Sequence, residues 1–520
     1  MSSPEVLRTA AEPITQVVDL IRAKLQGDQA DQVAEFAEQY YGQVALEDLA
    51  ERQLADLYGA ALSHWHFARI FPGGAPKLRV YNPRLEEHGW QSTHTVIEIV
   101  NDDMPFLVDS ITMEVNRQGL TLHLIIHPVM KIRRDAEGRI SGLAHQRDEP
   151  DGCFESLIHV EVDRRTEARH LQALHDGLLR TLGDVRAAVQ DWQPMRQQLL
   201  DIVADLESKP PPVEADDLAE GRAFLHWIAD DNFTLLGYRD YDLVSEGGED
   251  ALRVVPGSGL GILREAGVAP AASASFAALP PEVRARSREP TLLVLTKSNA
   301  RATVHRPGYL DHLGIKRFDA NGSVIGERRF LGLFTSTAYN ANPAQIPLLR
   351  RKVAAVTQRA GYLPKSHAAK ALATVLEQYP RDELFQIPVD ELYATAIGIL
   401  RLGERQRTRL FVRRDAFGRF YSCLVYVPRE NYNTDLRARM QALLMEVFQG
   451  VGSDFSVQFS DSPLARVLIV VRTRPGARPQ YEVREVEQRL VDIARRWEDE
   501  LRQALLEVCK RSMIHLLEVP

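Results

Sequence analysis

The stretch from Thr95 to Met130 constrains the fold more than any other part of the chain. Residues 96–100 are β-branched except for Glu98, which predicts a strand. Residues 106–118 carry apolar side chains at helical spacing, and residues 122–129 return to a strand-like run. This order predicts a strand, a helix and a second strand joined as a crossover unit.

The residues that follow extend this unit to the order βαββαβ. Residues 135–138 end in Gly138, which suits the positive φ of a hairpin turn. Residues 154–162 alternate as a returning strand, and 166–182 predict a second helix. Val185, Ala187 and Val189 predict a short fourth strand. A four-stranded antiparallel sheet with two helices on one face is the ferredoxin-like arrangement.

The polar loop 101–104 joins the first strand to the first helix and admits two interpretations. In one, Asp103 caps the helix by accepting hydrogen bonds from free amides, with Pro105 in the first turn and Gly119 as the C-terminal stop. In the other, these amides and the positive end of the helix dipole bind the carboxylate of an amino-acid effector. The effector contacts are then Asn101, Asp102, Asp103 and Met104.

Changes in periodicity and composition divide the chain into seven predicted segments. Residues 1–89 are helical, 90–192 form the βαββαβ unit, and 193–220 hold a helix and a proline-rich linker. Residues 221–344 predict a mixed α/β unit with a hairpin turn at Asn321-Gly322 and a surface loop at 266–281. Residues 345–405 predict a helical connector, 406–475 a second sheet unit, and 476–520 a C-terminal helix. The fold class is α+β and multidomain.

Composition argues against several classes of protein. The 520 residues are 45% hydrophobic and carry a net charge of −8, which is typical of a globular protein with sizeable cores. Interspersed charge without a basic face argues against a nucleic-acid partner. Three cysteines argue against a disulfide framework, and no apolar run is long enough for a membrane span. With no signal-peptide core, these features predict a cytoplasmic location and no membrane partner.

Several motifs invite a chemical reading, but each has a simpler one. Glycines 257, 259 and 261 follow GxGxG spacing without the third glycine of a dinucleotide fingerprint, so a plain loop is favoured. The pairs His64/His66 and His123/His127 lack metal-ligand spacing, which favours surface or second-layer positions. Ser110 lacks the glycines of a nucleophile elbow. The arginine pairs 133/134 and 413/414 are read as exposed strand edges. We therefore predict no catalytic, cofactor or metal site.

Four segments carry a resemblance to a known family. They are VIEIVNDDMPFLVDSITMEVNRQGL, ADDNFTLLGYRDYDL, LTKSNARATVHRPGYLDHLGIKRFD and YPRDELFQIPVDELYATAIGILRLGERQRTRLFVRRDAFGRFYSCLVYVPRENYNTDLR. These strings resemble the N-terminal region of the large bacterial NAD-specific glutamate dehydrogenases, and the resemblance extends from about Val33 to Arg502. It implies two ACT-type units, at about 90–192 and 406–475, flanking a PAS-like unit.

The resemblance also implies what this chain does. In the family, a catalytic core that binds NAD follows the ACT-type and PAS-like domains, and no stretch here matches its catalytic or cofactor-binding residues. We expect a regulatory and assembly portion, without a cofactor of its own, that self-associates and responds to an amino acid. The segment VCKRSMIHLLEVP, 508–520, departs from the family pattern and predicts a truncated or frame-shifted end. The alternative is a stand-alone amino-acid-binding or scaffold protein built from ACT-like modules.

Overall fold

The structure, a computed structural model, describes residues 12–144, 151–246, 249–264, 274–275, 288–403, 405–474 and 476–495. They form two compact units. The first comprises the described residues within Met1–Met195, Leu260–Arg264 and Ala300–Leu310, and the second comprises those within Arg196–Gly259, Glu265–Asn299 and Asp311–Pro520. No helix among these residues is long and apolar enough to cross a membrane.

The first unit begins with helices and continues into a sheet. Its helices are α1 Glu12–Lys24, α2 Asp28–Tyr41, α3 Leu46–Ala50, α4 Leu54–Ala68, α5 Leu85–His88, α6 Leu107–Arg117 and α7 Ala168–Gln190. Its sheet contains β1 Lys77–Tyr81, β2 Thr95–Asp102, β3 Leu122–Ile126, β4 Val129–Arg134, β5 Ile140–Leu143 and β6 Cys153–Val162. The strand, helix and strand predicted between Thr95 and Met130 are confirmed.

The paired strands described in this sheet are antiparallel. The order is β1-β2-β6-β4-β5. Strand β3 pairs with residues 159–162 of β6, and β4 pairs with residues 153–156 of the same strand. The register places Val80 opposite Ile97 and Glu98 opposite His159. The predicted turn at 135–138 is confirmed, because Gly138 has φ 76° and its N–H donates to the carbonyl of Asp135 at 3.0 Å.

The N-terminal helices cover one face of the sheet and form a common core with it. This cluster joins Val33, Phe36 and Trp65 of the helices to Val100 and Leu157 of the sheet, and all five side chains are buried. Successive strand residues point to opposite faces, so the residues that share a face with Val100 and Leu157 meet these helices. The N-terminal helices therefore pack directly on the first sheet.

Two sequence predictions for this unit are wrong. Val185, Ala187 and Val189 lie in helix α7 instead of a fourth strand, because Val185 and Ala188 pack one helical turn beyond the buried Leu182. The edge position beside β2 is taken by β1, which lies upstream of β2 within residues 1–89, the segment predicted to be helical. A β-branched pair in a short segment could not distinguish a strand from the last turns of a helix.

The second unit continues the chain from helix α8 onward. Its helices are α8 Trp192–Ser208, α9 Ala215–Trp227, α10 Ser336–Asn340, α11 Leu349–Ala360, α12 His367–Gln378, α13 Arg381–Gln386, α14 Val389–Leu402, α15 Thr434–Val447 and α16 Val483–Ala494. Its strands include β7 Phe233–Glu246 and β8 Glu249–Val254, then, after β9 Leu260–Gly261 of the first unit, β10 Ala274–Ser275, β11 Leu293–Arg301, β12 Tyr309–Phe318 and β13 Val324–Phe334. Residues 300–301 of β11 and 309–310 of β12 belong to the first unit. They follow the order β10-β8-β7-β13-β12-β11.

The turn between β12 and β13 is the one predicted at Asn321-Gly322. Gly322 has φ 84°, and the carboxylate of Asp319 accepts hydrogen bonds from the amides of Asn321 and Ser323 at 2.9 and 2.8 Å. The hairpin prediction is confirmed. Except for residues 274–275, the predicted surface loop at 266–281 lies outside the described residues, as does the predicted C-terminal helix beyond Arg495.

The last sheet contains β14 Arg409–Arg414, β15 Phe420–Pro428, β16 Gly450–Gln458 and β17 Leu464–Thr473. Its order is β14-β15-β17-β16, with all neighbours antiparallel. The prediction of a four-stranded sheet here is confirmed. The sheet of the first unit and this last sheet share one plan. In each, the first strand lies at an edge, the second strand leads into a helix, and the last strand lies between the second and the third.

Candidate effector site

The predicted effector loop lies at the end of β2, where three of its four residues already have partners within the first unit. Asn101 is buried, and its amide Nδ2 donates to the carbonyl of Asp102 at 2.7 Å. Asp102 is partly exposed, and its Oδ2 accepts from the amide of Gly74 at 3.4 Å. Asp103 is exposed, and Met104 is half-buried. The loop therefore presents carboxylates and one buried amide.

Arg186 of α7 completes this group, and no local pattern in the sequence predicted it. Its Nη1–H donates to Asp102 Oδ2, and its Nη2–H donates to Asn101 Oδ1, each at 2.7 Å. Only 13% of the side chain is exposed, and within the described part of the chain its buried Nε has no hydrogen-bond partner. The loop thus holds a cation beside an anion, with one donor left over.

The predicted capping role of Asp103 is wrong. Helix α6 begins at Leu107, its N-cap is Phe106, and no side chain caps it. Asp103 instead accepts from the hydroxyl of Ser156 at 2.7 Å, while its own amide donates to the carbonyl of Phe154 at 2.9 Å. Pro105 precedes the helix, because the backbone turns sharply at Phe106, where φ is 72°. Gly119, with φ 68°, follows the helix as predicted.

The start of α6 is covered by a segment from residues 300–310 of the same unit. The ring of His305 lies 4.8 Å from that of Phe106, and its backbone N–H donates to the hydroxyl of Ser110 at 3.2 Å. Burial lowers the pKa of His305, and Arg306 lowers it further, while Asp109 opposes both. Ser110 is therefore a packing residue, which agrees with the absence of a nucleophile elbow around it.

Further along the sheet, the buried ionisable side chains of β2 and β6 include Glu98, His159 and Glu161. Glu98 accepts from the Nε of Arg79 at 2.7 Å and from the hydroxyl of Tyr81 at 2.9 Å. The imidazole Nε2 of His159 lies 3.5 Å from the carboxylate of Glu161. Buried charge requires such partners, so this network is a structural feature of the sheet.

Glu161 shows how strongly this network is paired. Arg52 donates to its two oxygens at 2.6 and 3.1 Å, and His94 lies 3.0 Å from one of them. Burial raises the pKa of this carboxyl, but hydrogen bonds and charge from His159 and Arg52 outweigh burial and hold the pKa below its usual range. Glu161 is therefore ionised at neutral pH, and its fixed partners make it unsuited to exchanging a proton.

The histidines and the glycine-rich segment singled out in the sequence have different surroundings in the structure. His64 is buried and bonded to Tyr40, not at the surface. His123 pairs with Asp163 at 2.8 Å, and among the described residues no group of side chains could hold a metal ion. In the glycine-rich segment, the amide of Gly261 donates to Asp191 Oδ2 at 2.7 Å, so it meets a carboxylate of the protein.

The prediction that the arginine pairs mark exposed strand edges is wrong for two of the four. Arg413 is buried and forms two hydrogen bonds with Glu383 at 2.7 and 2.9 Å. The side chain of Arg134 is 11% exposed and forms two hydrogen bonds with Glu155 at 2.6 and 2.7 Å. The sequence could not show that a carboxylate distant along the chain lies opposite each guanidinium.

Three domain families match this chain. The ACT1 domain of glutamate dehydrogenase matches residues 36–178, the helical motif 1 matches 346–405, and the ACT2 domain matches 409–498. The first includes the sheet and loop described above, and the last includes the four-stranded sheet β14–β17. The structure is thus that of a multidomain α+β protein, two of whose sheets fall within matches to the ACT domains of glutamate dehydrogenase.

Whole-chain comparisons agree with the domain matches. The chain is 44% identical over 519 residues to the NAD-specific glutamate dehydrogenase of Halomonas elongata, covering 97% of this chain and 31% of that protein. It is 40% identical over 485 residues to the NAD-specific glutamate dehydrogenase of Pseudomonas aeruginosa, covering 92% and 30%. The comparisons support membership of the NAD-specific glutamate dehydrogenase family, and the chain spans about a third of the length of these relatives.

Proposed function

We propose that this chain is the regulatory and assembly portion of an NAD-dependent glutamate dehydrogenase. The whole enzyme converts L-glutamate, NAD and water to 2-oxoglutarate, ammonia and NADH. The observation that carries the proposal is that both ACT-domain matches fall on sheets that share one strand plan. In this proposal the sheets form ferredoxin-like ACT units around a PAS-like middle unit, and residues outside this chain bind NAD and perform the hydride transfer.

The first test of this proposal is enzymatic. Hydride transfer needs a cradle for the dinucleotide and a positioned base, and neither is recognised in the described residues. We expect the purified 520-residue chain to form no NADH from glutamate and NAD, measured by absorbance against a mock purification. Turnover that tracks with the chain through purification, and exceeds the mock sample, would mean that the chain contains a catalytic centre.

We further propose that the loop 101–104 binds an amino-acid effector through a charge pair. A free amino acid is a zwitterion, so its carboxylate would face Arg186 while its ammonium group would face Asp102. The guanidinium of Arg186 and the carboxylate of Asp102 lie 2.7 Å apart. Within the described structure, the buried Nε of Arg186 is a further donor without a partner. Asp102 then favours the ligand, because its carboxylate would pair with the ammonium group of the zwitterion.

Calorimetric titration with a panel of amino acids tests this site. We expect saturable binding of one member, and at least tenfold weaker binding in Arg186→Gln, since a charge-assisted hydrogen bond contributes about 1.5–3 kcal/mol. Asn101→Ala should weaken binding less, because it removes a neutral group. Arg139→Gln is the matched control, because Arg139 is also paired with an aspartate, Asp135 at 3.5 Å, but its side chain is 56% exposed and lies outside the loop 101–104. No heat with any amino acid, or equal loss in Arg186→Gln and the control, contradicts the site.

Self-association is proposed through strand β16. It is an edge strand of its sheet, and Val451 and Phe455 on it are 59% and 47% exposed. An edge with unpaired amides and apolar side chains favours pairing with a second copy. We expect Val451→Lys to shift sedimentation toward the monomer, whereas Leu363→Lys, at a 78% exposed site off the sheet, leaves it unchanged. An unaltered assembly in Val451→Lys would place the interface elsewhere.

A further inference from the structure

A cleft of about 1050 Å³ in the second unit is rich in arginine. It lies among α14, β14, α16 and the segment 405–409, and it is large enough for a small-molecule ligand. Six arginines face it, against two carboxylates. The arginines are Arg359, Arg401, Arg405, Arg407, Arg409 and Arg495, and the carboxylates are Asp390 and Glu487.

Both carboxylates are already neutralised by arginines of the cleft. Arg359 pairs with Asp390 at 2.6 Å, and Arg409 pairs with Glu487 at 2.8 Å. The amide of Leu410 adds a further bond to Glu487 at 2.9 Å. These pairs hold the walls of the cleft in place, and they neutralise only Arg359 and Arg409. Arg495 pairs with Asp492 at 3.4 Å, so the net positive charge of the cleft comes from Arg401, Arg405 and Arg407.

Three neighbouring guanidinium groups, those of Arg401, Arg405 and Arg407, have no carboxylate partner within the described ranges. Arg405 is anchored to the end of α14, where its Nε–H donates to the carbonyl of Leu402 at 3.1 Å. Arg401 and Arg407 are exposed, and their side chains have no partner among the described residues. An anion bound between these like charges would lower their mutual repulsion, so the group favours a negatively charged ligand.

The floor of the cleft is closely packed. A side chain at Gly398 would bring its Cβ within 2.6 Å of the ring of Phe411, so α14 and β14 approach as closely as a glycine allows. On the wall, the guanidinium of Arg359 lies 4.2 Å above the ring of Tyr393. The cleft is therefore formed by helix, strand and stacked side chains, which hold its shape before any ligand binds.

We propose that this cleft binds a small polyphosphate. Guanidinium groups form paired hydrogen bonds with phosphate oxygens, and successive phosphates carry the closely spaced negative charges that three adjacent arginines require. The polyphosphate could be free or attached to a nucleoside, whose base could contact the aromatic residues of the cleft. This inference does not depend on the proposed dehydrogenase function.

Titration of the 520-residue chain with tripolyphosphate, at constant ionic strength, tests the inference. We expect saturable binding, and at least tenfold weaker binding in the double variant Arg401→Gln/Arg407→Gln. Both side chains are exposed, so an unchanged melting temperature should confirm that the double variant folds. The matched control is Arg439→Gln, because Arg439 is an exposed arginine of α15 in the same unit that does not line the cleft.

Three outcomes overturn the proposal: no binding of tripolyphosphate, equal weakening in the control, and binding that the double variant leaves intact. A second arm compares tripolyphosphate with ATP and adenosine. Tighter binding of ATP than of tripolyphosphate, lost in the double variant, identifies a nucleotide ligand. Equal binding of the two, also lost in the double variant, identifies the phosphate chain alone. Binding of adenosine that does not depend on the arginines contradicts a polyphosphate site.

Discussion

Replacing Arg413 with alanine is expected to lower the free energy of unfolding of the second unit by about 3–5 kcal/mol. The side chains of Arg413 and Glu383 are 7% and 6% exposed, and two hydrogen bonds of 2.7 and 2.9 Å join them. Removing the guanidinium leaves a buried carboxylate without its partner, and the cost of that charge exceeds the value of the pair itself. Glu383 lies in α13 and Arg413 in β14, so the pair fastens the helical segment to the last sheet.

Hydrogen exchange measured by mass spectrometry separates this effect from the rest of the chain. Faster exchange is expected in α13 and β14, with the first unit unchanged. Arg439→Ala is the control, because Arg439 and Asp435 form an exposed pair whose loss costs about 0.5 kcal/mol or less. The double variant Glu383→Leu/Arg413→Met should recover most of the stability, since it buries no charge. An Arg413→Ala variant as stable as the control contradicts this account.

Acid is expected to destabilise the first unit by up to about 3 kcal/mol through His64 alone. Burial lowers the pKa of His64 from 6.5 to about 4, against the opposing charge of Glu98. Its Nδ1 lies 3.0 Å from the hydroxyl of Tyr40, and its Nε2 lies 3.3 Å from the carbonyl of Ile99. The neutral ring with hydrogen on Nε2 satisfies both contacts, and a second proton would place a charge on a fully buried ring.

The sign of the effect follows from proton binding in the two states. Between pH 4 and pH 6.5 the unfolded chain protonates His64 and the folded chain does not, so acid favours unfolding. The contribution is complete above pH 6.5 and is lost as the pH falls toward 4. Glu161 does not reverse this trend, because its carboxyl remains ionised in the folded unit throughout that interval.

Urea unfolding at a series of pH values across this interval measures the effect. His64→Gln keeps a polar side chain beside Tyr40 but cannot titrate. The slope of its unfolding free energy against pH should therefore be smaller than that of the unaltered chain, by the equivalent of up to one bound proton. His170→Gln is the control, because His170 is an exposed residue of α7. If the slope in His64→Gln equals that of the unaltered chain, His64 does not titrate as the burial predicts.

Elements defined by local pattern could be predicted from the sequence. The turns ending in Gly138 and Gly322 form as expected, because each glycine adopts the positive φ that its hairpin requires. Helix α15 also forms where its periodicity places it, and the side chain of Asn433 caps it by accepting from the amide of Leu436 at 2.8 Å. In these cases the residues that decide the conformation lie within a few positions of one another.

The candidate site was only partly predictable. The sequence indicated the loop 101–104, because a polar break between strand and helix is a local signal. It did not indicate Arg186, which lies far along the chain in a segment that was read as a strand. Asp103 illustrates the opposite error: its local pattern is that of a cap, but Ser156 on the adjacent strand takes its carboxylate. Tertiary partners overrode the local preference in both cases.

The sequence by itself determined the α+β class, the hairpins, most helices and the resemblance to NAD-specific glutamate dehydrogenases, because each of these depends on neighbouring residues or on long matching strings. Only the tertiary structure decided which charges are buried and paired. Arg413 and Glu383 are 30 positions apart, and Arg52 and Glu161 are 109 apart. A charged residue is favoured at the surface unless a partner lies within hydrogen-bonding distance, and the chain must fold before that partner arrives.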